Sequence, residues 1–161
     1  MLTRYPRDTR DLQFEIIRVP EGGTLYFVSL CQFFEGIETH WNGSRNVMCG
    51  GEKGCPFCDK GQLIRYNGYI FGKSLKSDIV KIVHLTKNAA QMLKPQCEVG
   101  NGLLGRVIIL QRSSGHERKK VQAFPKGCSD VPRAFSQDSL QDQVLRIYRD
   151  KQKPRVAPNL E

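Results

Sequence analysis

The sequence predicts a mainly β domain, and two observations lead to that prediction. Five segments rich in β-branched and aromatic residues alternate with turns made of glycine, proline, serine and asparagine, which is typical of short strands. Two segments favour helix, and both are short. The chain has 161 residues, of which 39% are hydrophobic and 25% charged. It is therefore long enough for one domain with a core and has the composition of a globular protein.

The order of these segments predicts a particular β architecture. Strands are expected at residues 24–34, 63–73, 79–85, 103–112 and 119–125. The first strand is expected to continue towards His40, and a long loop follows it. A short helix, capped by Thr86 and ended by Pro95, lies between the third and fourth strands. Five strands with this loop and this helix have the topology of the OB-fold, a small five-stranded Greek-key barrel.

The rest of the chain is assigned around this barrel. We expect an N-terminal arm over residues 1–22, the OB-fold domain over residues 23–126 with its long loop at 40–61, and a C-terminal region over residues 127–161. The C-terminal region contains one amphipathic helix, because Leu140, Val144, Ile147 and Tyr148 share one stripe at helical spacing. A basic, polar tail follows the helix.

A cysteine-rich segment interrupts the strand pattern at residues 42–61, which hold five glycines and three cysteines. Cys55 and Cys58 form a Cys-x2-Cys knuckle, and Cys49 precedes it by six positions. His40, nine positions before Cys49, is the best candidate for a fourth ligand. Three thiolates and one imidazole form a closed tetrahedral zinc site. The sequence therefore predicts one zinc ion per chain.

The predicted zinc is structural, because four protein ligands leave no open coordination position for catalysis. Its role is to order a loop of about 20 residues that is otherwise long for a compact domain. A Cys-x2-Cys pair also suits thiol–disulfide redox chemistry, so that alternative stays open. Cys31, His84 and His116 are the other candidates for the fourth ligand.

The net charge of +9 is concentrated in the middle of the chain. Residues 60–126 carry 13 basic and three acidic side chains, whereas the segments on either side are close to neutral. A basic segment of this kind indicates a polyanionic partner such as nucleic acid. The alternative is a solvated basic face that keeps the protein soluble.

The second strand interleaves cations with aromatic rings. By strand alternation, Arg65, Tyr69, Phe71 and Lys73 share one face. Single-stranded nucleic acid is held by this combination, because cations follow the phosphates and rings stack on the bases. In the alternative interpretation, Tyr69 and Phe71 belong to the core and the strand faces the other way.

Further candidates for nucleic-acid contacts lie outside this strand. Lys120 and Phe124 repeat the alternation in the fifth strand, which strengthens the prediction of a binding face. Trp41 lies in the metal loop, where it would either stack on a base or seal the zinc site. Arg106 and Arg112 bracket the fourth strand and are candidates for phosphate contacts.

The ligand order His40, Cys49, Cys55, Cys58 within a basic OB-fold resembles the helix-destabilising, single-stranded DNA-binding proteins of T-even phages. The resemblance covers residues 23 to 126 and rests on these ligands and the aromatic and basic strands around them. It implies sequence-independent coating of single strands in replication, recombination and repair. The ligand spacings here are shorter than in that family, and the acidic C-terminal tail that recruits its partners has no counterpart.

These observations predict a non-enzymatic protein that binds single-stranded DNA, with RNA left open. The alternative is a zinc-containing adaptor subunit of a replication or transcription complex, docking through its C-terminal helix. An enzyme is not expected, because the acids of the central segment are too few and too scattered for a two-metal site. Neither a secretory signal nor an apolar run of about 18 residues is present. We therefore expect the cytoplasm of a bacterial or phage-infected cell, with replication or recombination proteins as partners.

Overall fold

Residues 14–51, 54–113, 121–129, 131 and 134–152 are described by a computed structural model of the chain. They form eight strands: β1 (Ile16–Ile17), β2 (Thr24–Ser29), β3 (Glu35–Trp41), β4 (Asn46–Met48), β5 (Arg65–Lys73), β6 (Val80–Leu85), β7 (Arg106–Arg112) and β8 (Val121–Cys128). They also form three helices: α1 (Pro56–Asp59), α2 (Lys87–Cys97) and α3 (Gln137–Gln152). None of these three helices has the length and apolar character needed to span a membrane.

The eight strands form one mixed sheet in the order β1-β6-β5-β2-β7-β8, with β3 joined to β5 and β4 joined to β3. The mainly β prediction is therefore confirmed, as is the C-terminal helix. The predicted first strand is divided in two, since β2 and β3 both pair along the same edge of β5, with Val28 opposite Lys73 and Glu35 opposite Tyr69. Leu30 and Cys31 interrupt it because their side chains turn into the core.

The closed five-stranded barrel is wrong for the part of the chain that the structure describes. Closure requires the third predicted strand, β6, to pair with the fifth, β8. Instead, β1 pairs in parallel with β6, with Ile16 opposite Ile82. This pairing takes up the backbone groups of β6 on the edge that faces away from β5. Among the described strands, β8 pairs only with β7, so the sheet stays open.

Helix α2 covers one face of the sheet and packs against β5, β6 and β8. Its predicted N-cap is confirmed, since the Thr86 hydroxyl accepts a hydrogen bond from the backbone N–H of Ala89 at 3.3 Å. The predicted end at Pro95 is wrong, because the helix continues to Cys97. A proline this close to the end removes a single backbone hydrogen bond, so the last turn still forms.

Helix α3 covers the opposite face and packs against β3, β4 and β5. Its apolar stripe is buried as predicted, at Leu140, Val144, Ile147 and Tyr148. The central strand β5 is consequently covered on both faces, and every residue from Asn67 to Lys73 is buried.

Candidate metal centre and nucleic-acid surface

The four predicted ligands come from two adjacent local structures. His40 lies near the end of β3 and pairs with Val47 of β4, and Cys49 follows β4 directly. Cys55 is the N-cap of α1, and Cys58 lies within that helix. Gly51 and Gly54 connect the two parts with φ angles of +94° and +88°. Residues other than glycine rarely adopt these φ angles. The two glycines therefore let the backbone turn back towards the β3–β4 hairpin.

The ligand atoms of these four residues all lie within 4.8 Å of one another. The Sγ atom of Cys49 is 3.9 Å from that of Cys55 and 3.5 Å from that of Cys58. The Nε2 atom of His40 is 3.6 Å and 3.3 Å from the same two sulfur atoms. A tetrahedron with Zn–S of about 2.3 Å and Zn–N of about 2.0 Å has edges of about 3.8 Å and about 3.5 Å. The cluster therefore fits one tetrahedral metal ion.

The ring of His40 is held in the orientation that a metal ligand needs. The residue is fully buried, and Nδ1 donates a hydrogen bond to the carbonyl oxygen of Leu63 at 3.2 Å. This bond leaves the Nε2 lone pair directed at the thiols, which is how outer partners usually orient a ligating histidine. Phe57 stacks on the imidazole with ring centroids 5.5 Å apart.

The electrostatics of the cluster favour a cation. Backbone N–H groups of Cys58 and Gly50 lower the pKa of the Cys55 thiol to about 6. The adjacent Cys49 thiol, together with burial, raises the pKa of Cys58 to about 12. Three thiols this close cannot all ionise unless a positive charge compensates them. The prediction of a metal-binding cluster is thus confirmed in its geometry.

The alternative fourth ligands are placed elsewhere. Cys31 lies in the core, and burial raises its pKa to about 12. His84 lies outside the cluster, with its Nε2 atom 2.8 Å from Oδ1 of Asn67. His116 lies outside the described residues. The five cysteines for which the structure gives a state are all free, with no disulfide at the Cys55–Cys58 knuckle.

Two of the predicted stacking residues are core residues. Tyr69 and Phe71 are 2% and 0% exposed, so neither ring can stack on a base in this structure. The Tyr69 hydroxyl lies 2.7 Å from that of Tyr148 on α3. Phe71 packs against the rings of Phe14 and Phe135 at centroid distances of 5.1 Å and 4.5 Å. The structure fits the alternative interpretation, in which both rings belong to the core, because α3 and its neighbours cover this face of β5.

The predicted cations and Trp41 differ in how exposed they are. Lys73 is only 9% exposed and lies 3.8 Å from Asp78, so it is not a free surface cation. Arg65 is exposed. Arg106 is half-buried, and its Nε donates to the carbonyl oxygen of Gly102 at 3.4 Å. Trp41 is 46% exposed, and the ring that lies against His40 is that of Phe57.

The fifth predicted strand behaves as expected where the structure describes it. Phe124 is 38% exposed, and its neighbours Val121 and Ala123 are buried. Arg112, at the end of β7, is half-buried, and among the described residues its buried Nε has no hydrogen-bond partner. Lys120 lies outside the described residues.

Two exposed aromatic residues, Tyr26 and Phe33, are not among the residues predicted from the sequence. Tyr26 on β2 is 52% exposed and lies directly opposite Ile109 of β7, which in turn lies opposite Phe124 of β8. Directly opposed residues share a face, so Tyr26, Ile109 and Phe124 form one cross-strand row, here called the aromatic row. The available signal in the sequence was that adjacent Tyr26 and Phe27 must face opposite sides of a strand, so only one of the two rings could point into the core.

No family model matches this chain, and neither the curated proteins nor the solved structures give a match.

Proposed function

We propose that this chain is a non-enzymatic single-stranded DNA-binding protein in which the His40–Cys49–Cys55–Cys58 cluster holds a structural zinc ion. The observation that carries the proposal is the aromatic row, an exposed set of rings on a protein with a net charge of +9. Stacked rings beside cations bind single strands with little regard to sequence, because every base offers a π face.

The aromatic row suits an unpaired strand in its spacing. Tyr26 and Phe124 lie two strands apart, which places their backbones about 10 Å from each other at about 4.8 Å per strand. Lys126 is exposed on the same face of β8, two residues from Phe124. A strand of nucleic acid crossing β2, β7 and β8 would therefore meet two rings and a cation.

The position of α3 supports this part of the sheet as the binding surface. Val28 of β2 lies opposite Lys73 of β5, so the aromatic row is on the same side of the sheet as Tyr69 and Phe71. Helix α3 packs against β3, β4 and β5. The sequence predicted nucleic-acid contacts on this side of the sheet, at β5. Because α3 covers β5 there, we place the contacts on β2, β7 and β8 instead.

The zinc ion would act on the fold of the loop. All four ligands come from the protein, so no position remains for a substrate or a catalytic water. Among the described residues of 40–61, the regular elements besides the end of β3 are the short strand β4 and the single-turn helix α1. Of its described residues only His40, Val47 and Cys55 are buried, so the segment contributes little to the core, and a metal ion would supply cross-links in its place.

Metal content tests the zinc. Protein purified without added metal is expected to hold one zinc per chain, and strong chelation should raise amide hydrogen exchange in residues 40–61 far more than in β5 and β6. The sheet persists because its core lies among its own apolar strands. A metal-free protein whose residues 40–61 are protected from exchange as well as those of the zinc-bound protein would contradict the structural role.

Selectivity tests the binding function. The protein is expected to bind oligo-dT more tightly than a duplex of equal length, since the rings stack only on unpaired bases. A Tyr26→Ala/Phe124→Ala variant should lose about 1–3 kcal/mol per ring in binding, whereas Leu75→Ala, which removes an exposed apolar side chain on the β5–β6 turn, should bind normally. An RNA arm of the same titration decides between DNA and RNA.

The adaptor alternative keeps one specific observation in its favour. Trp41, Leu63 and Ile64 are 46%, 75% and 43% exposed, and they border the metal cluster. Exposed apolar side chains of this kind fit a protein partner, such as a replication or recombination protein. Helix α3 is a poor docking element, because its apolar stripe is already buried. Equal affinity for duplex and single strand would favour the adaptor.

A further inference from the structure

A cleft of about 410 Å³ opens between α2 and the segment that joins β2 to β3. Aromatic side chains supply one part of its wall, namely Phe33, Phe34 and Tyr66. Helix α2 supplies the other part, where Lys87, Lys94 and Glu98 carry the charges. The cleft is separate from the metal cluster and from the aromatic row, since it shares no residue with either.

The aromatic wall is built into the sheet. Tyr66 lies at the start of β5, and a Cβ atom on Gly36 of the neighbouring strand would collide with its ring. Gly36 therefore allows the ring to lie flat over β3. Phe33 is 39% exposed, so a ligand in the cleft would have direct access to an aromatic face. The hydroxyl of Tyr66 is protonated at neutral pH even at its ordinary pKa, which burial raises to about 12, so it can donate a hydrogen bond.

The charged wall adds a preference for anions. Lys87 and Lys94 are seven residues apart on α2, which is about two turns or 10 Å along the helix axis. Both are exposed, and Glu98 is the one acid among the residues that line the cleft. Two cations above an aromatic floor complement a ligand that is planar and apolar at one end and anionic at the other.

We propose that this cleft binds one nucleotide unit, with its base against Phe33 and Tyr66 and its phosphate between Lys87 and Lys94. The volume is near the lower end of the range of about 300–1,000 Å³ for small-molecule sites, so the cleft is too small for a duplex. The cleft lies on the α2 side of the sheet and the aromatic row on the α3 side, so the nucleotide unit belongs to a part of the single strand that passes beyond the aromatic row. This part of the inference rests on the proposed function. A free mononucleotide shares the same chemistry.

Amide chemical shifts of the full chain, titrated with dTMP, thymidine and (dT)8, test the site. Millimolar dTMP should shift residues of the cleft, and thymidine, which lacks the phosphate, should bind more weakly. A Lys87→Ala/Lys94→Ala variant should bind dTMP at least about tenfold more weakly, because charge-assisted contacts are lost. Lys76→Ala, an exposed lysine on the β5–β6 turn, is the matched control and should leave the affinity unchanged.

The outcomes separate the cleft from the function. If dTMP shifts no cleft residue, or shifts them equally in the double lysine variant, the nucleotide site is overturned. Weaker (dT)8 binding by the same variant supports the strand as the source. If (dT)8 binding depends on Tyr26 and Phe124 but is unchanged by the lysine variant, the proposed function stands and the cleft inference falls. If dTMP fills the cleft while (dT)8 does not bind, the strand is overturned as the source and the proposed function with it.

Discussion

Two neighbouring residues hold the side chain of His40 in the orientation that the cluster needs. Its Nδ1–H bond to the Leu63 carbonyl selects the tautomer, and the stacked ring of Phe57 restricts its rotation. Leu63 lies just beyond the loop that the metal is proposed to order. The hydrogen bond to Leu63 therefore links the cluster to the start of β5, and the geometry of the ligand and the fold of the loop support each other.

Replacing His40 by Ala should lower zinc affinity by more than about 100-fold, because even the loss of an outer hydrogen-bond partner typically costs 10–100-fold. Competition with a chromophoric chelator measures this change. His84→Ala is the control, since that imidazole bonds Asn67 and lies outside the cluster. Equal zinc affinities for the two variants would remove His40 from the ligand set.

A substitution at Phe71 tests whether this face of β5 is a core surface or a binding surface. It is fully buried against Phe14 and Phe135, so Phe71→Ala should lower the free energy of unfolding by about 3–5 kcal/mol. Urea denaturation measures it. Phe124→Ala, at a 38% exposed ring, should change stability by no more than about 0.5 kcal/mol. A Phe71→Ala variant with native stability and weakened oligo-dT binding would restore β5 as the binding strand.

At the scale of elements, the sequence predicts best what is decided locally. The four ligands lie within 19 residues, and their spacing was enough to predict that they form one cluster. The division of β2 from β3 was not visible, because Leu30 and Cys31 leave the strand only to fill a core that other elements build. The exposure of Tyr69 was likewise undecidable from β5, since it depends on Tyr148, which lies 79 residues away in the chain.

Helix α3 should therefore contribute strongly to stability through its buried stripe alone. Ile147 is 3% exposed and Leu145, two residues earlier, is 42% exposed. Ile147→Ala should cost about 2–5 kcal/mol of unfolding free energy, and Leu145→Ala about 0.5 kcal/mol or less. The pair has the same helix and the same new side chain, so the difference in urea midpoints reports packing on β5. Equal midpoints would mean that α3 does not cover the sheet in solution.

At the scale of the whole molecule, the net charge can be predicted from the sequence more reliably than the topology. Alternation and turns predicted the strands of an OB-fold, but closure depended on what pairs with β6, and that edge belongs to the two-residue strand β1. Residues 14–19 are strand-like in sequence, but nothing in them shows that Ile16 and Ile17 pair with β6. Charge, in contrast, is a property of composition that survives errors in topology. The excess of 13 basic over three acidic residues between positions 60 and 126 stays on the molecule whichever face binds.

Stacking and charge should contribute separately to the affinity for single strands, and salt titration distinguishes them. Lys126→Ala removes one phosphate contact, so the slope of log K against log salt should fall by about 0.7. Phe124→Ala removes a stacked ring and should cost about 1–3 kcal/mol at every salt concentration, with the slope nearly unchanged. The two residues are neighbours on the exposed face of β8, so each serves as the positional control for the other. Identical changes in slope for both variants would mean that Phe124 acts by positioning cations and that the aromatic row is not a stacking surface.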